Sequence, residues 1–204
     1  MGTRTDALVE LPDRRDRPLV SEIVNSTYVT LDGVIEHPET WPDMGGFGVE
    51  GNKIQTDLVL GCDAVLMGRR TYESFASVWP TMSGNPLADK MNEMPKYVAS
   101  STLDAPAWNN THVIEGDLLE FARQMRAESE GDVVQFGFGA VTQALLSAGL
   151  VDRLRLWLHP ILVGRGGPED LLHKAVPATR CTLERCTPLE SGIVVLDYRV
   201  TSSM

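Results

Sequence analysis

Cationic side chains are scarce in this chain. Lysine and arginine total 18 against 28 aspartates and glutamates, a formal net charge of −10 at pH 7, which gives no basis for nonspecific attraction to nucleic acid or to an anionic membrane surface. A ligand that carries phosphate must therefore be met by a local basic site. Cysteine is sparse too. Cys62, Cys181 and Cys186 form no CxxC pair and no cysteine/histidine array at zinc spacing, and an odd count does not close a disulfide framework. No metal site is expected, and a reducing cytoplasm is the expected compartment. Long apolar runs are missing as well: none approaches the roughly 20 residues of a membrane-spanning helix. The opening residues Met1 to Arg17 are charged where a signal peptide would be apolar, so residues 1–19 read as a solvated tail. Internal repeats and low-complexity linkers are also absent, and residues 20–204 are predicted to form a single domain.

What remains alternates between two rhythms. Val20 to Val29 is rich in β-branched and apolar residues and ends in Thr30-Leu31-Asp32-Gly33, a strand running into a turn. His37 to Gly51 carries prolines and glycines and is predicted as a long exposed loop. A short amphipathic helix is predicted over Lys53 to Leu60, a buried strand over Ala64 to Met67, and a helix over Arg70 to Ser77. The rhythm then repeats: strands at Tyr97–Ala99 and His112–Ile114, a helix over Leu118–Ala127, and a buried strand over Val133–Phe136. A helix over Val141–Ala148 is stopped by Gly149. An apolar strand over Leu154–Leu158 resumes at Ile161–Val163, and a hairpin of Cys181–Arg185 with Gly192–Val200 closes the chain. Strands alternating with helices, then a terminal hairpin, predict an α/β fold. Its central sheet should be mainly parallel, covered on both faces, with antiparallel strands at one edge.

Two strand-to-helix junctions carry the chemistry. At Met67-Gly68-Arg69-Arg70-Thr71 a buried strand ends in glycine, and two arginines and a threonine lead into a helix. Free backbone N–H groups, a hydroxyl and positive charge there suit phosphate, and the planar donors of arginine suit a ribose 2′-phosphate. The same two arginines would equally serve as solvated helix-start residues. At Phe136-Gly137-Phe138-Gly139-Ala140 the glycines let backbone approach an anion as the next helix begins. Thr142 stands where a full GxGxxG fingerprint has its third glycine, so neither junction suffices alone. Together they mark the carboxyl edge of the sheet, where open α/β sheets bind ligands.

With these residues in place, the chain resembles the dihydrofolate-reductase-like superfamily. In particular it is similar to bacterial proteins related to the C-terminal reductase domain of the bifunctional riboflavin-biosynthesis deaminase/reductase. The resemblance spans Val20 to Val200 and rests on four ordered segments: Thr30 to Ile35, Met67 to Glu73, Gly137 to Gly139, and Ala148 to Leu156 leading into His159-Pro160. It implies the three-layer dihydrofolate-reductase-like fold, NADPH as cofactor and a homodimer joined through the Leu154–Leu158 region and the terminal hairpin. It also implies that Val34 and Ile35 lie by the nicotinamide, and that Gly68, Arg69, Arg70 and Thr71 hold phosphates. Ser101, with Ser100 beside it, would share the 2′-phosphate. Gly137, Phe138, Gly139, Ala140, Val141 and Thr142 would wrap the pyrophosphate. Ala140 departs from the pattern, since dihydrofolate reductases often carry a basic residue there.

The substrate end departs further. Counting back from Gly68, the helix position that holds a carboxylate against pterin in dihydrofolate reductases falls at Asn52, which supplies no charge, so dihydrofolate reduction ranks last among the reductase activities. Asp32 is the expected polar group at the nicotinamide end, either relaying a proton or closing an Asx-type turn. Trp41 and Trp79 are expected either to stack on a planar substrate or to pack. His159 is expected to be a packing or capping residue. With no second basic cluster near the loop, the expected activity is hydride transfer to a small, planar, uncharged or weakly charged heterocycle or conjugated substrate. The 5-amino-6-(5-phosphoribosylamino)uracil reductase of riboflavin biosynthesis is the second reading, and a nonenzymatic nucleotide-binding dimer is the alternative outside catalysis.

Overall fold

Each apolar run becomes a strand of one sheet. The computed structural model describes residues 21–42, 45–172 and 178–203, and the tail read over residues 1–19 lies outside them. The strands are β1 (Ile23–Thr30), β2 (Cys62–Gly68), β3 (Lys96–Ala99), β4 (Thr111–Val113), β5 (Asp132–Phe136), β6 (Arg153–His159), β7 (Thr179–Pro188) and β8 (Val194–Ser203). They lie in the order β4-β3-β2-β5-β1-β6-β8-β7. The pairings from β4 to β6 are parallel, and β8 and β7 add antiparallel at one edge. This is the dihydrofolate-reductase-like α/β architecture expected from the sequence.

The sheet's two faces are separated by residue alternation within the central strands. Val133 and Leu66 point to one side and pack with Ala122 and Met125 of α4 (Leu118–Glu128) and Leu145 of α5 (Ala140–Ser147). Val134, Val65 and Met67 point to the other and pack with Val59 of α1 (Gly48–Leu60), Tyr72 of α2 (Arg69–Ala76) and Met91 of α3 (Pro86–Glu93). With both faces covered, β5 is buried at every position, which is why its sequence shows no polar alternation.

Three local expectations are corrected. Helix α1 starts at Gly48, five residues before the predicted Lys53, and shortens the long loop. Glycines argue against a helix by propensity, but a Cβ on Gly51 would sit 2.6 Å from Phe47 Cβ and 2.8 Å from Leu189 Cδ1, so close packing requires glycine there. Helix α3 was not predicted, although Asn85 and Pro86 are a start signal: the Asn85 side chain accepts a hydrogen bond from Ala88 N–H at 2.9 Å. Finally, Ile161–Val163 is not a strand. Pro160 interrupts the ladder, and the segment turns instead to meet the end of β1, where Leu31 N–H donates to Ile161 O at 3.0 Å.

The strand that follows α3 begins with a buried lysine. Lys96 has no exposed surface, and its ammonium donates to the carbonyls of Met91, Asn92 and Met94 at 3.0, 3.0 and 2.9 Å. It also lies 4.5 Å from the centre of the Trp108 ring, so all three protons and the charge are met inside the fold. Replacing Lys96→Met would leave three carbonyls without a donor. The expected loss is about 3 kcal/mol of unfolding free energy, to be read from urea denaturation.

Candidate active-site cleft

Strands β2 and β5 are neighbours, so their carboxyl ends bring the two glycine junctions side by side. The starts of α2 and α5, at Gly68 and Gly139, have no side-chain cap, which leaves their first N–H groups available to an anion. The junctions touch. Gly137 has φ +81°, and a Cβ on it would lie 2.5 Å from Thr71 Oγ1, so the loop after β5 rests directly on the first turn of α2. The Gly137 carbonyl is held from below by Asn25 Nδ2 at 2.8 Å, Gln135 Nε2 at 3.0 Å and the Thr142 hydroxyl at 3.0 Å. Thr142 is fully buried, and its hydroxyl also reaches Gln135 Oε1 at 2.9 Å. It therefore shapes the loop from within and does not face a ligand. Phe138 and Val141 are likewise core residues, while Ala140 is exposed at the helix start.

The arginines stand at the rim. Arg69 donates through Nε to Glu73 at 2.7 Å, and through its terminal nitrogen to the Thr102 hydroxyl and, at 3.3 Å, to the Thr102 carbonyl. That contact brings the loop after β3 to the first residue of α2. Thr102 was missed because nothing local marks a residue 33 positions away as a partner. Ser100 closes its own turn, its hydroxyl accepting from Thr102 N–H at 3.1 Å and Leu103 N–H at 3.0 Å, and Ser101 is exposed beside it. Arg70 pairs with Glu36 at 3.3 Å and so links α2 to the chain that follows β1.

At the other end of the cleft the Asp32 carboxylate accepts from the Thr30 hydroxyl and, at 2.8 Å, from Gly164 N–H. These bonds, the Thr30 hydroxyl foremost, hold its carboxyl below the usual carboxylate range. The turn after β1 is closed by Thr30, whose hydroxyl accepts from Val34 N–H at 3.0 Å and whose carbonyl accepts from Gly33 N–H at 2.9 Å, so Asp32 forms no Asx-type turn and its carboxylate instead ties the loop over 160–167 to the end of β1. Val34 and Ile35 follow, both buried. Val34 bridges to Leu171, and Ile35 N–H donates to Asp170 O at 2.8 Å.

Beyond them lies a cavity of 510 Å³ lined by Tyr28, Trp41, Phe47, His159 and Ile193 among others. Tyr28, Trp41 and Phe47 surround His159 with ring centroids 5.3, 5.2 and 6.4 Å away. His159 is 8% exposed, its Nε2 has no hydrogen-bond partner among the described residues, and burial lowers its pKa. Trp41 also borders a second cavity of 240 Å³ with Val34, Glu36, His37, Arg165 and Asp170. There Arg165 donates to Thr40 Oγ1 at 2.7 Å.

Two of the residues expected at the substrate do not join this cavity. Asn52 is exposed on the outer side of α1, because the helix turns Gly51, Ile54 and Gln55 inward instead. Gln55 hydrogen-bonds the Tyr28 hydroxyl. Trp79 packs 6.1 Å from Phe75 in the cluster around Tyr72 and Phe136. Phe47, Tyr28 and Arg165 were missed, since only the folded loops bring them to Trp41. The thiol of Cys62 is pushed up to about 12 by burial and is inert, and no group of acidic, histidine or cysteine residues forms a metal site among the described residues.

Comparison with known proteins shows the family and the fold. The RibD C-terminal domain family matches residues 22–195. The chain is 28% identical to the uncharacterized protein YyaP of Bacillus subtilis (strain 168) over 158 residues, 72% of this chain and 78% of YyaP. A crystal structure of a putative riboflavin biosynthesis protein from Shewanella sp. PV-4 superposes with a TM-score of 0.68 at 17% identity, covering 88% of this chain and 99% of that one. A pyrimidine reductase-like protein from Corynebacterium diphtheriae gives a TM-score of 0.59 at 14% identity, covering 89% and 92%.

The contact between the junctions can be tested by a double-mutant cycle. Gly137→Ala combines a disfavoured φ with a clash on Thr71 and should cost about 2–3 kcal/mol. In a Thr71→Ala background, thermal unfolding should recover the steric part, about 1 kcal/mol, and leave the backbone part.

Proposed function

The chain belongs to the RibD C-terminal domain family, and from that premise we propose that it is an NADPH-dependent reductase acting on a small planar heterocyclic or conjugated substrate. The observation that carries this reading is the contact of two uncapped helix starts through Gly137 and Thr71. Their free N–H groups fit a pyrophosphate, and Arg69, Arg70 and Ser101 at the rim fit a ribose 2′-phosphate. When bound, NADPH would supply the hydride, the demanding part of the chemistry. The chain's own task is then positioning: Val34 lines a cavity together with Trp41, Ile35 packs into the core behind it, and Trp41, Tyr28 and Phe47 would meet a planar substrate as ring walls.

Arg165 gives specific support to a second reading, the 5-amino-6-(5-phosphoribosylamino)uracil reductase, because it brings to the loop after β1 a cation that the local sequence lacks. It ranks second because Glu36 and Asp170 line the same cavity, and these acids oppose a substrate phosphate. Dihydrofolate reduction ranks third, since the inward positions of α1 near Tyr28, Gly51 and Gln55, provide no carboxylate.

We also propose a homodimer formed through the β6–β8–β7 edge. Leu154, Leu156, Leu158 and Val200 remain only partly buried there, and Leu183 on β7 is 48% exposed, an apolar sheet face suited to a second copy.

Fluorescence titration is expected to show NADPH binding. Arg69→Ala should weaken NADPH about tenfold or more while leaving NADH nearly unchanged. No binding of either nucleotide at millimolar concentration overturns the reductase reading, and equal affinities remove the 2′-phosphate role. An NADPH-oxidation screen over neutral heterocycles, the phosphorylated pyrimidine and dihydrofolate ranks the substrates. Light scattering at micromolar concentration should return twice the chain mass, and Leu156→Glu should halve it. A strict monomer contradicts the assembly.

A further inference from the structure

We infer that Gln135 is a positioning residue for the anion at the glycine junctions: through the Gly137 carbonyl it turns the next peptide N–H, that of Phe138, toward the start of α2, where it donates to a diphosphate. Gln135 thereby belongs to the cofactor end of the proposed reductase cleft, and the identity of the anion as the NADPH diphosphate rests on that reading.

Polar side chains are costly in strands covered on both faces, yet Asn25 of β1, Gln135 of β5 and Thr142 of α5 are all buried side by side. The sheet does not need them, because β5 pairs with β1 and β2 through the backbone as far as Phe136. They act on the first peptide beyond that ladder. Gln135 is the centre of the group. Its Nε2 donates to Phe136 O at 2.7 Å and to Gly137 O at 3.0 Å. Its Oε1 accepts from Asn25 Nδ2 and lies 2.9 Å from the Thr142 hydroxyl, so the whole amide is engaged. Asn25 gives its other amide proton to Gly137 O at 2.8 Å, and the one Thr142 hydroxyl proton is shared between Gln135 Oε1 and Gly137 O, 3.0 Å away. Asn25 is steadied in turn by the Thr27 hydroxyl, which donates to its Oδ1 at 3.1 Å.

This arrangement fixes a direction. Asn25 and Gln135 alternate onto the same sheet face as Ile23 and Val133, the face that α5 covers, so the Gly137 carbonyl is held toward that face. No peptide among the described residues is cis, and a trans peptide carries its C=O and its N–H in opposite directions. The Phe138 N–H therefore points away from α5's face, to the side on which α2 lies. There Thr71 Oγ1 abuts Gly137. Neither the Phe138 N–H nor the Thr71 hydroxyl makes a hydrogen bond among the described residues, and the first N–H groups of α2 and α5 are uncapped beside them.

Turning the peptide over would strand the buried amide donors and aim a carbonyl oxygen at the anion. In the observed orientation the donors on the carbonyl polarise the peptide and make its N–H a better donor. An anion thus meets N–H groups and a hydroxyl at the junctions, while Gln135 works from beneath without touching it.

The full chain is titrated with NADPH, inorganic pyrophosphate and adenosine 2′-phosphate, the last carrying a phosphate for the rim arginines but no diphosphate. In amide NMR the Phe138 signal should move downfield with NADPH and with millimolar pyrophosphate, and stay in place with adenosine 2′-phosphate. By calorimetry Gln135→Met, which keeps the side-chain length, and Thr142→Val, which keeps the shape, should each weaken NADPH about tenfold. Adenosine 2′-phosphate should change by less than about twofold in both. Thr142→Ser restores a hydroxyl and should regain most of the affinity lost in Thr142→Val. A Phe138 signal unmoved at NADPH saturation of the wild type overturns the inference, whether or not the variants fold. So does wild-type NADPH affinity in both Gln135→Met and Thr142→Val. Equal losses for NADPH and adenosine 2′-phosphate assign the network to the fold alone and overturn it too. A wild type that binds neither NADPH nor NADH overturns the reductase reading; in that protein a Phe138 response to pyrophosphate still supports the role of Gln135, and no response overturns it.

Discussion

The backbone carbonyl of Gly137 is the point on which the cleft depends. It lies at the carboxyl end of the central strand β5, and three buried side chains from three elements converge on it: Asn25 from β1, Gln135 from β5 and Thr142 from α5. Each of these groups is within 1% of complete burial, so each would carry a desolvation cost of about 1–3 kcal/mol if left unpaired. Satisfying them together locks the loop in one conformation. The left-handed φ of Gly137 and its contact with Thr71 follow from that lock, and so does the abutment of α2 and α5.

The opposite end of the cleft is built on a similar principle with a charged group. Asp32 joins the turn after β1 to the segment after β6 through Thr30 and Gly164. Because β1 and β6 are adjacent and parallel, that tie keeps Trp41, on the chain leaving β1, against His159 at the end of β6. Val34 and Ile35 lie between the two anchored regions. A preorganised cleft of this kind suits hydride transfer, in which geometry contributes more than acid/base groups.

The polar content of the cleft is divided between its two ends. Arginines and serines occupy the exposed rim, where a phosphate would meet them without a large desolvation cost, whereas the cavity at the end of β6 is walled by aromatic rings, the His159 imidazole and the Glu39 carboxylate. In a chain with a net charge of −10, the two arginines where the helix starts converge are each held by a carboxylate, Arg69 by Glu73 and Arg70 by Glu36, which fixes their heads at the rim.

The sequence alone determined the α/β class, the mainly parallel sheet and its terminal hairpin, because periodicity and continuous apolar runs are local properties of covered strands. The glycine junctions were legible for the same reason: Gly68-Arg69-Arg70-Thr71 and Gly137-Phe138-Gly139 are contiguous, and their chemistry follows from residue type. The tertiary structure decided what lies between distant segments. It turned Asn52 outward, since the phase of α1 is set by Gly51 fitting against Phe47 and Leu189. It moved Trp79 into the core beside Phe75, took Thr142 out of the ligand's reach and made Asp32 a tie between loops. It also assembled Tyr28, Trp41 and Phe47 around His159, residues up to 131 positions apart in the chain whose meeting depends on the pairing of β1 with β6 and on no local pattern.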